Sequence, residues 1–301
     1  MSGRLAVLCS GQGGQHLQMF DLAASDARAK GLLAHWRVPP LQAGVDLFAN
    51  RVAQPIIVAA GCALWEAVRT RVPTPQIVAG YSVGELTALA VSGMLDPPAA
   101  IALARERALL MDACVDPALP QGLLAVAGLS MDRLAPLLLQ RRLYVAIENG
   151  PDQCIVGATQ ASLAVLRSSV QNAGGTAHLL KVGIASHTPF MTDAVAPLVQ
   201  AMEQLDFSPP SVRVISNHAA ASLRDAPSAR AALAAQLVQP VRWSACMHVM
   251  SEAGINVALE LGPGNGLARM LAARHPHIAC RSASDFRTLD GLVTWVQRAL
   301  A

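Results

Sequence analysis

Gln76-Ile77-Val78-Ala79-Gly80-Tyr81-Ser82-Val83-Gly84-Glu85-Leu86-Thr87-Ala88-Leu89-Ala90-Val91 is an apolar run, a serine set between two glycines, and a second apolar run that closes on Gly93. The first run predicts a buried strand over 76–80 and the second a helix over 85–91, with Ser82 on the turn between them. Gly-x-Ser-x-Gly in that setting is a nucleophile elbow, in which small residues let the chain turn sharply enough to expose the hydroxyl. A serine at a helix start also has free backbone N–H groups and the positive end of the helix dipole beside it, which favour an oxyanion on an attacked carbonyl. The alternative is a glycine-flanked helix cap, since serine is a common N-cap.

Outward from the elbow, 5–9 is a second short apolar run ending in Gly11-Gln12-Gly13-Gly14-Gln15, which predicts a strand and a tight loop. His16 stands where a dinucleotide fingerprint needs its last glycine, so that reading fails. The loop can instead offer the Gln12 side chain as an oxyanion donor beside the Val83 N–H. A helix is expected from Pro98 to Ala113, with Arg105, Glu106 and Asp112 on its polar side, followed by a Pro-containing linker over 116–121. The rhythm then changes: strand 122–128, helix 132–139, strands 143–148 and 153–157 across Asn149-Gly150, helix 162–172 and strand 177–182. That βαββαβ order is the signature of a ferredoxin-like unit. Long segments return after Ser186-His187-Thr188-Pro189, with strands at 212–216 and 257–261. The expected architecture is therefore α/β: a large α/β-hydrolase-like domain with a parallel sheet (1–120 and 189–301) carrying an inserted ferredoxin-like domain (121–188).

Composition limits the function classes. Of 301 residues, 53% are hydrophobic and 14% charged, and the net charge is only +3 with scattered arginines, which gives no support to nucleic-acid binding. No stretch approaches the roughly 20 uninterrupted apolar residues that span a bilayer, and no targeting segment opens the chain, so a cytoplasmic protein with no membrane partner is expected. The six cysteines lie far apart, with no Cys-x-x-Cys pair and no Cys/His cluster at ligand spacing. Reduced thiols and no metal site are expected.

A serine hydroxyl needs a base to act as a nucleophile. Of eight histidines, His187 has the best context, at the return from the small unit, where a cleft between domains would lie. The other seven are assigned to the surface or to structural roles.

Five stretches in order, Ser-Gly-Gln-Gly-Gly-Gln (10–15), Gly-Tyr-Ser-Val-Gly-Glu (80–85), Glu-Arg-Ala-Leu-Leu-Met (106–111), Ser-His-Thr-Pro-Phe-Met (186–191) and Gln-Leu-Val-Gln-Pro-Val-Arg-Trp (236–243), resemble the malonyl-CoA:acyl-carrier-protein transacylases. The likeness runs from Leu5 to Gly262. It implies Ser82 as the acylated nucleophile, His187 as its base, Gln12 with the Val83 amide as oxyanion hole, and the backbone carbonyl of Gln236 in place of the usual aspartate behind the histidine. It implies that Arg107 grips the free carboxylate of malonyl, for which a planar guanidinium is suited, and that Gln54 is a further active-site glutamine; Gln54 and Tyr81 are the further residues expected to bind substrate. Judged by its helix alone, Arg107 beside Glu106 would face solvent. The substrate implied is malonyl-CoA, the partner an acyl carrier protein with a phosphopantetheine-type arm, and no metal or redox cofactor is called for.

Tyr81 stands where most of these enzymes have histidine, and Ser10 where proline is customary. Tyr81, together with the Gly11-Gln12-Gly13-Gly14-Gln15 opening and Met19-Phe20-Asp21-Leu22, is more similar to the transacylase (epsilon) subunit of bacterial malonate decarboxylase, which implies further subunits of that system as partners. A fatty-acid or polyketide transacylase, a serine thioesterase or esterase, and a non-catalytic docking subunit are the competing readings. Against a hydrolase, His187 lies mid-chain rather than late.

Overall fold

The computed structural model describes residues 3–139 and 142–301. The main body begins with β1 (Leu5–Cys9), α1 (Asp21–Ala24), α2 (Ala27–His35), α3 (Asn50–Val68), β2 (Ile77–Gly80), α4 (Gly84–Val91) and α5 (Pro97–Ala113). A smaller unit follows: β3 (Gln121–Ala127), α6 (Met131–Leu138), β4 (Tyr144–Gly150), β5 (Gln153–Thr159), α7 (Gln160–Asn172) and β6 (Thr176–Leu179). The chain then returns through a 3-10 turn (Pro189–Ala194) to α8 (Val195–Glu203), β7 (Arg213–Ile215), β8 (Ser222–Leu223), α9 (Ala226–Val238), α10 (Trp243–Glu252), β9 (Val257–Leu261), α11 (Gly266–Arg274), β10 (Ala279–Ser282) and α12 (Leu289–Leu300).

Two sheets result, ordered β10-β9-β1-β2-β7-β8 and β4-β5-β3-β6. The first is parallel through its five leading strands and ends in an antiparallel β7–β8 pair. The second is antiparallel throughout. Both are as their sequences demand: β1, β2 and β9 are buried on both faces and read as continuous apolar runs. Along β1 the side chains alternate, Leu5, Val7 and Cys9 packing with α3, α4 and α5, while Ala6 and Leu8 join Trp243, Met247 and Leu271 on the opposite face. The small unit has its own core of residues such as Leu124, Val156, Leu166 and Val170.

One sequence expectation needs correction, at the β4–β5 turn, and two others are sharpened. α3, 19 residues long, is by length and composition capable of crossing a bilayer, but 78% of its apolar window is buried inside the protein. It is the central core helix, packed on α4 and α5. The hairpin between β4 and β5 does not turn at Asn149-Gly150. Both residues stay in β4, Gly150 pairs with Gln153, and Pro151-Asp152 forms the turn. Pro151 has no N–H to give a ladder and suits a turn, and Asn149 is held in place by a contact to Tyr81. Arg107 does not face solvent: it is 2% exposed.

Candidate active site

The turn between β2 and α4 places Ser82 with φ of +53°, a left-handed conformation that costs about 1 kcal/mol or more for a residue with a Cβ and is kept where surrounding structure enforces it. The glycines make that turn feasible. A Cβ on Gly84 would run into the carbonyl oxygens of Cys9 and Ser10 at the end of β1. His187, with φ of +62°, is the second strained residue, on the segment that returns from the small unit. Its Nε2 lies 2.7 Å from Ser82 Oγ, and its Nδ1 lies 2.6 Å from the main-chain oxygen of Gln236 in α9. That carbonyl can only accept, so Nδ1 carries the proton and Nε2 is the free acceptor facing the serine.

Burial holds His187 down to about 3, with the positive charge of Arg107 adding to the effect and the Gln236 carbonyl opposing it. The imidazole is therefore neutral at physiological pH, the form that can take a proton. Val83 is the N-cap of α4, and while the N–H groups of Gly84, Glu85 and Leu86 bond to the carbonyls of Tyr81, Ser82 and Val83, its own N–H stands at the helix N-terminus next to Ser82. The Gln12 loop packs directly on the elbow: a Cβ on Gly11 would lie 2.6 Å from Tyr81 O. Gln12 Nε2 is buried without a hydrogen-bond partner among the described residues. An amide nitrogen left so is costly unless something arrives to accept from it.

The second half of the site is a buried polar chain. Arg107 Nη1 donates to Gln54 Oε1 at 2.7 Å and Nη2 to Gln236 Oε1 at 2.8 Å. Gln54 Nε2 donates to Asn50 Oδ1 at 2.6 Å, and Gln236 Nε2 to Glu85 Oε2 at 2.6 Å and Asn217 Oδ1 at 3.0 Å. Among the described residues the guanidinium has no carboxylate within ion-pair distance. Burial lowers Arg107 to about 10, partly offset by Glu85, and burial raises Glu85 to about 7 against the opposing effects of Gln236, Asn217, Ser216 and Arg107. Both groups are thus held at a desolvation cost.

Tyr81 is engaged by the small unit and by α10. Its hydroxyl donates to Asn149 Oδ1 at 3.2 Å and its ring meets Trp243 edge-on at 5.4 Å. It ties the elbow to β4 of the small unit. Sequence reasoning brought Ser82, His187, Gln12, Val83, Gln236, Arg107 and Gln54 to this region but gave no role to Glu85, Asn50 or Asn217. Glu85 was the detectable one, a lone charge in a helix otherwise made of Gly, Leu, Thr, Ala and Val. Among the described residues no group of three His, Cys, Asp or Glu side chains is arranged to hold a metal ion.

Comparison with known proteins bears on the family and the fold. Over 95% of its length the chain is 27% identical to a malonyl CoA-acyl carrier protein transacylase of Haemophilus influenzae, 98% of which is covered. The solved structure of a malonyl CoA-acyl carrier protein transacylase from Coxiella burnetii superposes with a TM-score of 0.91 at 26% identity, covering 100% of this chain and 99% of that one. A malonyl-transacylase solved in complex with a type II polyketide synthase acyl-carrier protein superposes with a TM-score of 0.90 at 25% identity, covering 98% and 100%. The family model described as the acyl transferase domain matches residues 41–278, and the chain belongs to that family.

Proposed function

We propose that the protein is a malonyl-CoA:acyl-carrier-protein S-malonyltransferase that works through a Ser82 acyl-enzyme. The observation that carries this reading is the 2.7 Å contact between Ser82 Oγ and a neutral His187 in the same buried cluster as an arginine with no carboxylate of its own. His187 Nε2 takes the Ser82 proton as Oγ attacks the malonyl thioester carbon. The carbonyl oxygen becomes an oxyanion between Gln12 Nε2 and the Val83 N–H. Collapse of the adduct breaks the carbon–sulfur bond, and the leaving thiolate takes the proton from His187. The carrier thiol then gives its proton to His187 and removes malonyl from Ser82 by the reverse steps. Arg107 holds the malonyl carboxylate in both halves. The Gln236 carbonyl keeps the imidazole tautomer but, lacking a full charge, stabilises the imidazolium less than a carboxylate would.

We further propose the malonate decarboxylase setting, with other subunits of that system as partners and a carrier bearing a CoA-derived arm. What supports it is the sequence likeness, with Tyr81 directly before the nucleophile where most transacylases of this kind have histidine. The main domain is proposed to be α/β-hydrolase-like, and the 121–188 unit to be a ferredoxin-like insertion, on the strength of its element order and the β4-β5-β3-β6 sheet. A cytoplasmic location, with no resident cofactor, completes the reading. The test is intact-protein mass spectrometry after exposure to malonyl-CoA. A malonyl adduct lost in Ser82→Ala is expected, and a Ser82-independent adduct or none would refute the assignment.

A further inference from the structure

We propose that Glu85 is a positioning residue for acyl-group selection: from under the elbow it fixes the Gln236 carboxamide with its oxygen toward Arg107, and so aims the guanidinium at the acyl carboxylate. This rests on the malonyl-transfer reading above. The two ends of a carboxamide have nearly the same shape, and only their partners decide which way it faces. At Gln236 those partners are one-sided. Its nitrogen meets Glu85 Oε2 and Asn217 Oδ1, both acceptors, and Asn217 is itself locked because its nitrogen donates to Gly80 O at 2.8 Å. Turned over, Gln236 would set its oxygen against Asn217 Oδ1 and its nitrogen against a guanidinium.

On the other side of Arg107 the polarity is fixed in the same way. Asn50 Nδ2 donates to Ala108 O at 3.1 Å, leaving its oxygen for Gln54 Nε2 and the Gln54 oxygen for Arg107. Two amide oxygens therefore converge on the guanidinium, and Glu85 is the ionisable anchor of the chain. Glu85, Gln236 and Gln54 are each 0% exposed, so water cannot substitute for a lost partner. Interposing Gln236 also matters for selection. A carboxylate touching Arg107 directly would occupy the place of the substrate's, whereas Glu85 acts from one residue away, through the Gln236 carboxamide. Because the main-chain oxygen of Gln236 also receives His187 Nδ1, the same residue bounds both halves of the site. The other titratable groups near Glu85 are Arg107 on α5 and Cys246 on α10, with His187 across Gln236.

The test compares malonyl-CoA and acetyl-CoA as donors in the full-length enzyme with Glu85→Gln, Glu85→Leu and Gln236→Met. Glu85→Gln keeps an acceptor for Gln236 and is expected to hold the malonyl-to-acetyl ratio of kcat/KM within about threefold, while Glu85→Leu lowers it by about tenfold or more, mainly through the KM for malonyl-CoA. Gln236→Met, which keeps the main-chain carbonyl and the side-chain length, should lower the ratio similarly, and it serves alone if Glu85→Leu does not fold. An unchanged ratio in the Leu and Met variants, or equal loss for both donors in all three, would overturn the role of Glu85. Absence of malonyl transfer in the unaltered enzyme would instead overturn the functional reading on which it rests.

Discussion

Ser82, His187 and Gln12 sit on turns at strand ends or on the return from the small unit, whereas Arg107, Gln54 and Asn50 project from the sides of two long helices, α5 and α3. The first group owes its geometry to the backbone: Ser82 and His187 both have positive φ, and the carbonyl behind His187 is main chain. The second group owes its geometry to side chains that lock one another's orientation. The difference teaches which errors each half tolerates. A bond-making half built on turns fails if one atom is removed, while a half built on an amide chain keeps its chemistry and loses its preference.

His187→Ala should break this comparison most severely. Loading of Ser82, followed by rapid quench and mass spectrometry, is expected to slow by about 10^4 for malonyl and acetyl donors alike. Arg107→Ala comes next, with a different pattern: kcat/KM for malonyl-CoA should fall roughly 10^2-fold while acetyl transfer changes less than about threefold. Equal loss for the two donors would mean that Arg107 does not grip the carboxylate.

The last expected effect, on stability rather than rate, concerns a carboxylate outside both halves. Glu260, at the C-terminal end of β9, accepts from Ser10 Oγ and from the Ala268 N–H, and burial raises it to about 7. Its folded value is above its unfolded one, so the folded state binds the proton more tightly. Stability from this group is therefore present at low pH and is lost as pH rises from about 4.5 to about 7, by roughly 3 kcal/mol at most. Denaturant unfolding at pH 5 and pH 8 should show that loss, and Glu260→Gln should reduce it. The same slope in both proteins would show that Glu260 is not responsible.

The half built on turns was the legible one. Glycines at positions 80 and 84 between two apolar runs mark the elbow because few other residues allow it, and His187 could be picked out by where the chain re-enters the main body. Arg107 was harder, since Arg105, Glu106 and Arg107 are consecutive charges and only the helical period separates them. Ala104, Arg107, Ala108 and Met111 are all buried, an i, i+3, i+4, i+7 stripe that includes the arginine. Asn149-Gly150 misled because a strong local turn signal was outweighed by Pro151 next to it. Glu85 was visible as the lone charge of α4, but Asn217 becomes meaningful only once the fold brings it under the same glutamine, which local patterning does not report.

The direct test of the whole account is the fate of the malonyl group on Ser82. The enzyme is loaded with malonyl-CoA, freed of excess donor, and mixed with a carrier protein bearing a phosphopantetheine-type thiol. The account predicts that malonyl appears on the carrier thiol much faster than malonate appears in water, and that the carrier without its arm accepts none. Release of free malonate at a rate unaffected by the carrier would contradict it and make the enzyme a hydrolase.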